Sequence, residues 1–137
     1  KGKMSLARID EVNQHIVNLA SKNRAQIDQV YCCPHHPIGN LRGDPSLIKP
    51  CKCRKPGIDL LSAGVDDHKI NIKLSYMVGD SISDIQAGKT IGLKTVLVGG
   101  LKCDARRLYE EKDCLPDFIY QSLASFAKSL KPEDDQT

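Results

Sequence analysis

Two ligand pairs constrain this chain more than anything else in it: Cys33-Pro34-His35 and, after fifteen intervening residues, Cys51-Lys52-Cys53. Zinc takes four thiolate or imidazole donors in a tetrahedron, and two close pairs joined by a loop supply such a set. Gly39, Gly43, Pro45 and Ser46 inside the loop are turn formers with few apolar neighbours, so metal rather than a hydrophobic core is expected to order it. Pro34, Pro37 and Pro50 limit the backbone freedom lost when the loop closes. The same residues can also be read as a disulfide or as a chance cluster of thiols. Cysteines spaced as C-x-C pair poorly with each other, however, and a disulfide leaves His35 without a role. Cys32 and His36 are alternative ligands that shift the spacing, and Cys103 and Cys114 read as ordinary thiols. A further reading, Cys32 or Cys33 as a nucleophile with His36, accounts for fewer of these residues.

At 137 residues and 40% hydrophobic content the chain has the size of one domain with a modest core. Its formal charge of +3 and 4% aromatic content offer neither a strong basic surface nor a stacking platform, so nucleic acid is not an expected partner. Neither a membrane-length apolar run nor a secretory signal is found, and thiolate ligands suit a reducing cytoplasm. Lys1-Gly2-Lys3-Met4 does not look like a native start.

Leu6, Ile9, Val12, Ile16 and Leu19 recur at spacings of three and four, which predicts an amphipathic helix over 5–22 capped by Ser5. Ile27–Tyr31 reads as a short strand that delivers Cys33 at its end, and 33–55 as the metal loop. Pro56-Gly57 is expected to open a second helix, with Pro56 near its first position and the end near Asp67 and His68. Leu74–Gly79 reads as a strand that stops at Asp80, followed by a helix carrying Ile82, Ile85 and Ala87. Another strand is expected over 94–98, closed by Gly99-Gly100, then a helix over 104–112, a strand over 117–120 and a helix over 122–130. Strands alternating with helices predict an α/β fold, a Rossmann-like parallel sheet flanked by helices. In such sheets ligands bind beyond the carboxyl ends of the strands, where the metal loop, Arg54-Lys55 and Asp80 are expected.

The run Gly79-Asp80-Ser81-Ile82-Ser83-Asp84 places one carboxylate at a strand end and a second in the first helical turn. Magnesium wants oxygen ligands and keeps several waters, so one or two carboxylates and a substrate phosphate satisfy it. Asp80 is the better ligand candidate. Asp84 can support the metal shell or simply favour the helix N-terminus. Arg54 and Lys55 follow the last zinc ligand directly, so closing the loop would fix them. The lysine could stabilise charge on a transferring phosphoryl group, and the arginine could fork onto a second phosphate or hydroxyls. Without Cys53 beside them they would read as a solvated basic pair.

The runs CCPHHP, CKCRKP, SYMVGDSISDIQAG and GLKTVLV resemble the haloacid dehalogenase superfamily, closest to the D-glycero-D-manno-heptose 1,7-bisphosphate phosphatases, with histidinol-phosphate phosphatases next. The likeness runs from Lys1 to about Leu130. It implies a HAD-like domain over 1–131 with a zinc loop at 33–53, followed by a polar tail at 132–137. It also implies Cys33, His35, Cys51 and Cys53 as structural zinc ligands, Lys55 as the residue that steadies an aspartyl-phosphate, Arg54 as a substrate contact and Asp80 as a magnesium ligand. The implied activity is magnesium-dependent removal of the C7 phosphate from a small-molecule sugar bisphosphate. The DxDxT motif that carries the family's nucleophile, and the Thr-Asn-Gln stretch after it, do not occur in this sequence. The resemblance therefore implies a phosphatase without its first strand, inactive by itself. Ser81 stands where some members have lysine, and Gly99-Gly100-Leu101 differs from the loop usual there. A zinc-binding interaction module without catalysis is the rival reading.

Overall fold

Ser5 accepts a hydrogen bond from the backbone N–H of Arg8 at 3.2 Å and so starts the first helix, α1 (Leu6–Lys22). This computed structural model describes residues 5–39, 44–100, 109–110 and 112–130. The chain divides into two units, 1–68 and 69–137. The predicted helix over 104–112 falls largely outside the described residues, and the predicted tail at 132–137 falls wholly outside them.

In the first unit, α1 forms where the periodicity places it, but Leu6, Val12, Ile16 and Leu19 stay exposed. The more sheltered positions are Ile9, Asn13, Val17 and Ala20, a neighbouring stripe of the same helix. Ile27–Tyr31 is not a strand. A β-rich run becomes one only where a second backbone answers its N–H and C=O groups, and among the described residues none of the strand pairings reaches this segment. Tyr31 is tied down by its side chain, the hydroxyl donating to the carboxylate of Asp67 at 2.6 Å. The second helix, α2 (Asp59–His68), starts later than Pro56. Gly57 N–H donates to the carbonyl of Arg54 at 2.8 Å and Asp59 N–H to that of Lys52 at 3.3 Å, so Pro56 is spent in a turn. That turn leaves no room for a side chain at 57, where a Cβ would lie 2.0 Å from the carbonyl oxygen of Lys52.

The second unit holds the sheet. Strands β1 (Tyr76–Gly79), β2 (Lys94–Val98) and β3 (Phe118–Tyr120) pair in parallel in the order β1-β2-β3, with Val78 beside Val96 and Val96 beside Phe118. The first strand begins two residues later than Leu74. Asn71 accepts from the N–H of Lys73 and turns Ile72–Leu74 into a 3-10 helix. Helix α3 (Ile82–Thr90) covers one face, and Gly88 lets it approach so closely that a Cβ there would meet Met77 and Thr95 below 3.0 Å. On the other face Phe126 of α4 (Leu123–Ser129) stacks edge-on against Tyr76 and packs against Tyr120, both with centroids 5.3 Å away. Ile85, Ala87, Leu93, Val96, Leu97, Tyr109, Cys114 and Phe126 form the buried apolar core. All of them belong to 69–137.

Below the sheet a polar clasp sets the register of β2 on β3. The carboxylate of Asp117 accepts from the Thr95 N–H at 2.7 Å and from its hydroxyl at 2.6 Å, and Lys89 pairs with the second oxygen at 3.3 Å. Thr95 is fully buried, so its hydroxyl needs this partner.

Candidate functional site

Cys33, His35, Cys51 and Cys53 come together, with one ligand atom from each lying within 4.8 Å of all the others. The Sγ of Cys33 is 3.1 Å from that of Cys53, 3.6 Å from that of Cys51 and 3.9 Å from His35 Nδ1, while His35 Nδ1 is 3.3 Å from Cys53 Sγ. A tetrahedron with zinc–sulfur bonds near 2.3 Å has sulfur–sulfur edges of roughly 3.8 Å, so a small expansion of this cluster fits the ion. The loop ends are held by backbone pairing, His36 N–H donating to the Leu47 carbonyl at 3.0 Å in an isolated parallel bridge with Ile48.

The alternative ligands do not join the cluster. Cys32 is exposed, and His36 Nδ1 accepts from the N–H of Ile38 at 3.0 Å instead. Cys114 lies in the apolar core beside Tyr109, where burial pushes its thiol up, and Cys103 is outside the described residues.

Ionisation within the cluster shows what an ion would relieve. Burial raises the Cys51 thiol, but hydrogen bonds from Cys53, Cys33 and the backbone of Arg54 and Cys53 more than offset it, leaving Cys51 lowered. Cys53 is pushed up to about 12, first by its hydrogen bond to Cys33, then by burial and by Cys51. Three thiols this close cannot all carry charge without a cation among them.

Arg54 and Lys55 are exposed immediately after the last ligand. A guanidinium nitrogen of Arg54 donates to the carbonyl of His35 at 3.2 Å, so the arginine is bonded back onto the ligand loop that precedes it. Asp80 and Asp84 belong to the second unit. Asp80 is exposed just past the carboxyl end of β1, where a hard cation or an anion's counter-ion can reach it. Asp84 is 2% exposed, and one of its oxygens accepts from Ser81 N–H at 3.0 Å and Ser81 Oγ at 2.7 Å. Its carboxylate therefore closes the turn that carries Asp80. Residue 79 must be glycine for this, since a Cβ there would lie 2.3 Å from Asp84 Cβ and Cγ.

Ser81 is the functional-site residue that sequence reasoning undervalued. Its hydroxyl also lies 2.9 Å from that of Ser83, making it the hub of the turn. The signal was present as Ser81-x-x-Asp84, the spacing of a capping box.

The HAD-hydrolase-like family model matches residues 52–126, more than half of the sequence. The chain belongs to the HAD-hydrolase-like family. It is 35% identical over 107 residues to the D-glycero-β-D-manno-heptose-1,7-bisphosphate 7-phosphatase of Yersinia pestis, which covers 77% of this chain and 53% of that protein. The enzyme of the same name from Escherichia coli K12 is 27% identical over 135 residues, covering 97% of this chain and 66% of the relative. This HAD chain thus spans between about half and two thirds of the length of these curated relatives. Among solved structures it resembles the D,D-heptose 1,7-bisphosphate phosphatase of B. bronchiseptica, a structure complexed with magnesium and phosphate. The TM-score is 0.66 at 20% identity, over 90% of this chain and 63% of that one, a likeness of fold. No helix among the described residues is long and apolar enough to cross a membrane.

Proposed function

We propose that this chain is the zinc-loop-bearing part of a HAD-type, magnesium-dependent phosphatase that removes the C7 phosphate of D-glycero-D-manno-heptose 1,7-bisphosphate. The observation that carries the reading is the four-ligand cluster closing directly onto Arg54-Lys55, in a chain whose relatives bear that activity in their names. Residues 1–131 then form part of one catalytic domain, cytoplasmic in keeping with its free thiols.

Zinc is the ion assigned to Cys33, His35, Cys51 and Cys53, since three thiolates and an imidazole suit it and leave no open position for chemistry. Its contribution is to hold the loop. Arg54, hydrogen-bonded to the loop at His35, presents its remaining donors to a phosphate or to sugar hydroxyls. Lys55 supplies an ammonium that would offset charge on the phosphoryl group as it is transferred to an aspartate and then to water. Asp80 supplies one hard oxygen donor, a fit for magnesium, which would neutralise phosphate oxygens when bound. Asp84 positions Asp80 through the Ser81 turn. The nucleophilic aspartate is assigned to a DxDxT segment that this sequence does not contain.

The test is magnesium-dependent phosphate release from the heptose bisphosphate, by this chain alone and by a protein joining it to a DxDxT-bearing segment. Turnover is expected only in the joined protein. Hydrolysis by the chain alone would overturn the assignment of the nucleophile, and a joined, folded protein that leaves the bisphosphate untouched would overturn the substrate.

A further inference from the structure

We infer that the zinc loop is a thiol switch in which Cys33 and Cys53 are the pair that oxidises, releasing the metal and leaving the loop latched by a disulfide. The inference rests on the assignment of zinc to this cluster and goes beyond it, because the four ligands are not equivalent.

Cys33 is the hub, its sulfur lying 3.6 Å from that of Cys51 and closer still, 3.1 Å, to that of Cys53. Cys51 and Cys53 are one residue apart in the chain, a spacing whose geometry strains a disulfide, whereas Cys33 and Cys53 approach from opposite ends of the loop. Cys114 is buried in the core of the other unit, so it does not compete. Cys32 is exposed but its neighbour Cys33 is turned into the cluster.

The oxidant is a hydroperoxide, with hydrogen peroxide as the simplest case. One sulfur of the pair attacks a peroxide oxygen, the O–O bond breaks, and a sulfenic acid and water form. The second sulfur then attacks the sulfenic sulfur, the S–O bond breaks, and the departing hydroxide takes up a proton to give a second water. Two electrons pass from the two sulfurs to the two peroxide oxygens. Zinc is left with Cys51 and His35, two donors where it needs four, and dissociates. The disulfide spans the same loop ends that the metal held, so Arg54 stays attached to an ordered segment and reduction restores the site.

The experiment treats the zinc-loaded chain with stoichiometric hydrogen peroxide and follows three readouts: zinc release to a chromogenic chelator, intact mass, and peptide mapping without reduction. Zinc content before treatment tests the metal assignment by itself. The expected result is loss of all bound zinc, a mass loss of two hydrogen atoms, a Cys33–Cys53 cross-link, and recovery of zinc binding after dithiothreitol. Cys32→Ser is expected to leave all of these unchanged. Release of zinc with a different cross-link, with oxygen added to sulfur, with no recovery on reduction, or with dependence on Cys32 would overturn the switch, as would full retention of zinc.

Discussion

At the scale of single residues, the turn after β1 depends on a glycine and an acid fitting one another. A methyl group on residue 79 would collide with the side chain of Asp84, whose own position is fixed by two bonds from Ser81. Gly79→Ala is expected to destabilise the second unit by about 1–3 kcal/mol, the range for overfilling a packed site, read as a lower urea midpoint with an unchanged slope. Unchanged stability would mean that Asp84 can swing away. Within the Cys/His cluster, Cys53→Ser removes a soft donor that three of the cluster's short contacts depend on. Its zinc stoichiometry should fall from one per chain towards zero under a competing chelator. Lys55→Ala belongs to the same scale. If Lys55 neutralises charge on the phosphoryl group, the joined enzyme should lose about 10²–10³ in kcat, the cost of one such electrostatic donor. Loss confined to KM would make it a binding residue instead.

At the scale of elements, the clasp of Asp117 on Thr95 decides how β3 lies on β2. Hydrogen bonds from Thr95 hold the Asp117 carboxyl below its ordinary range against the opposing effect of burial, and Lys89 adds to them. A carboxyl whose folded pKa is depressed contributes stability above its unfolded value, roughly 3.9, and loses it as pH falls through the folded value. Asp117→Ala should therefore cost about 1–2 kcal/mol at neutral pH, discounted because the side chain is 41% exposed. The difference from the unaltered chain should shrink under acid, as thermal melts at several pH values would show. A difference that persists unchanged at low pH would place the effect in the backbone rather than in the charge.

At the scale of the whole molecule, the two units rest on different physics. Every buried apolar side chain among the described residues lies in 69–137, and the four residues of the Cys/His cluster all lie in 1–68. If zinc closes the loop, chelation should raise amide exchange over 31–65 and leave 76–98 protected. Hydrogen exchange with and without a strong zinc chelator checks this, and loss of protection in both regions would show that the sheet also depends on the metal.

Much of this was legible in the residues themselves. Helix α1, β2, β3 and α4 lie where periodicity, β-branched runs and Ser caps put them, because those signals act within a few residues. The cluster of Cys33, His35, Cys51 and Cys53 was legible as well, since two pairs of soft donors around a turn-rich loop have few other uses. Where the structure departs from expectation, the deciding contacts are distant in sequence. Ile27–Tyr31 has the composition of a strand without a ladder, and its last residue answers instead to Asp67, on a helix of its own unit. The stripe of α1 that shelters is not the one that the apolar pattern favours, because both stripes are apolar enough to form the helix and only packing chooses between them. The sequence by itself determined the spacing of the Cys/His pairs, the α/β alternation and the acidic turn, which are properties of near neighbours. Only the tertiary structure decided that Asp84 is buried, that Arg54 is bonded to His35 and that Cys33 lies closer to Cys53 than to Cys51, because each depends on atoms distant in sequence whose approach the unit around them sets.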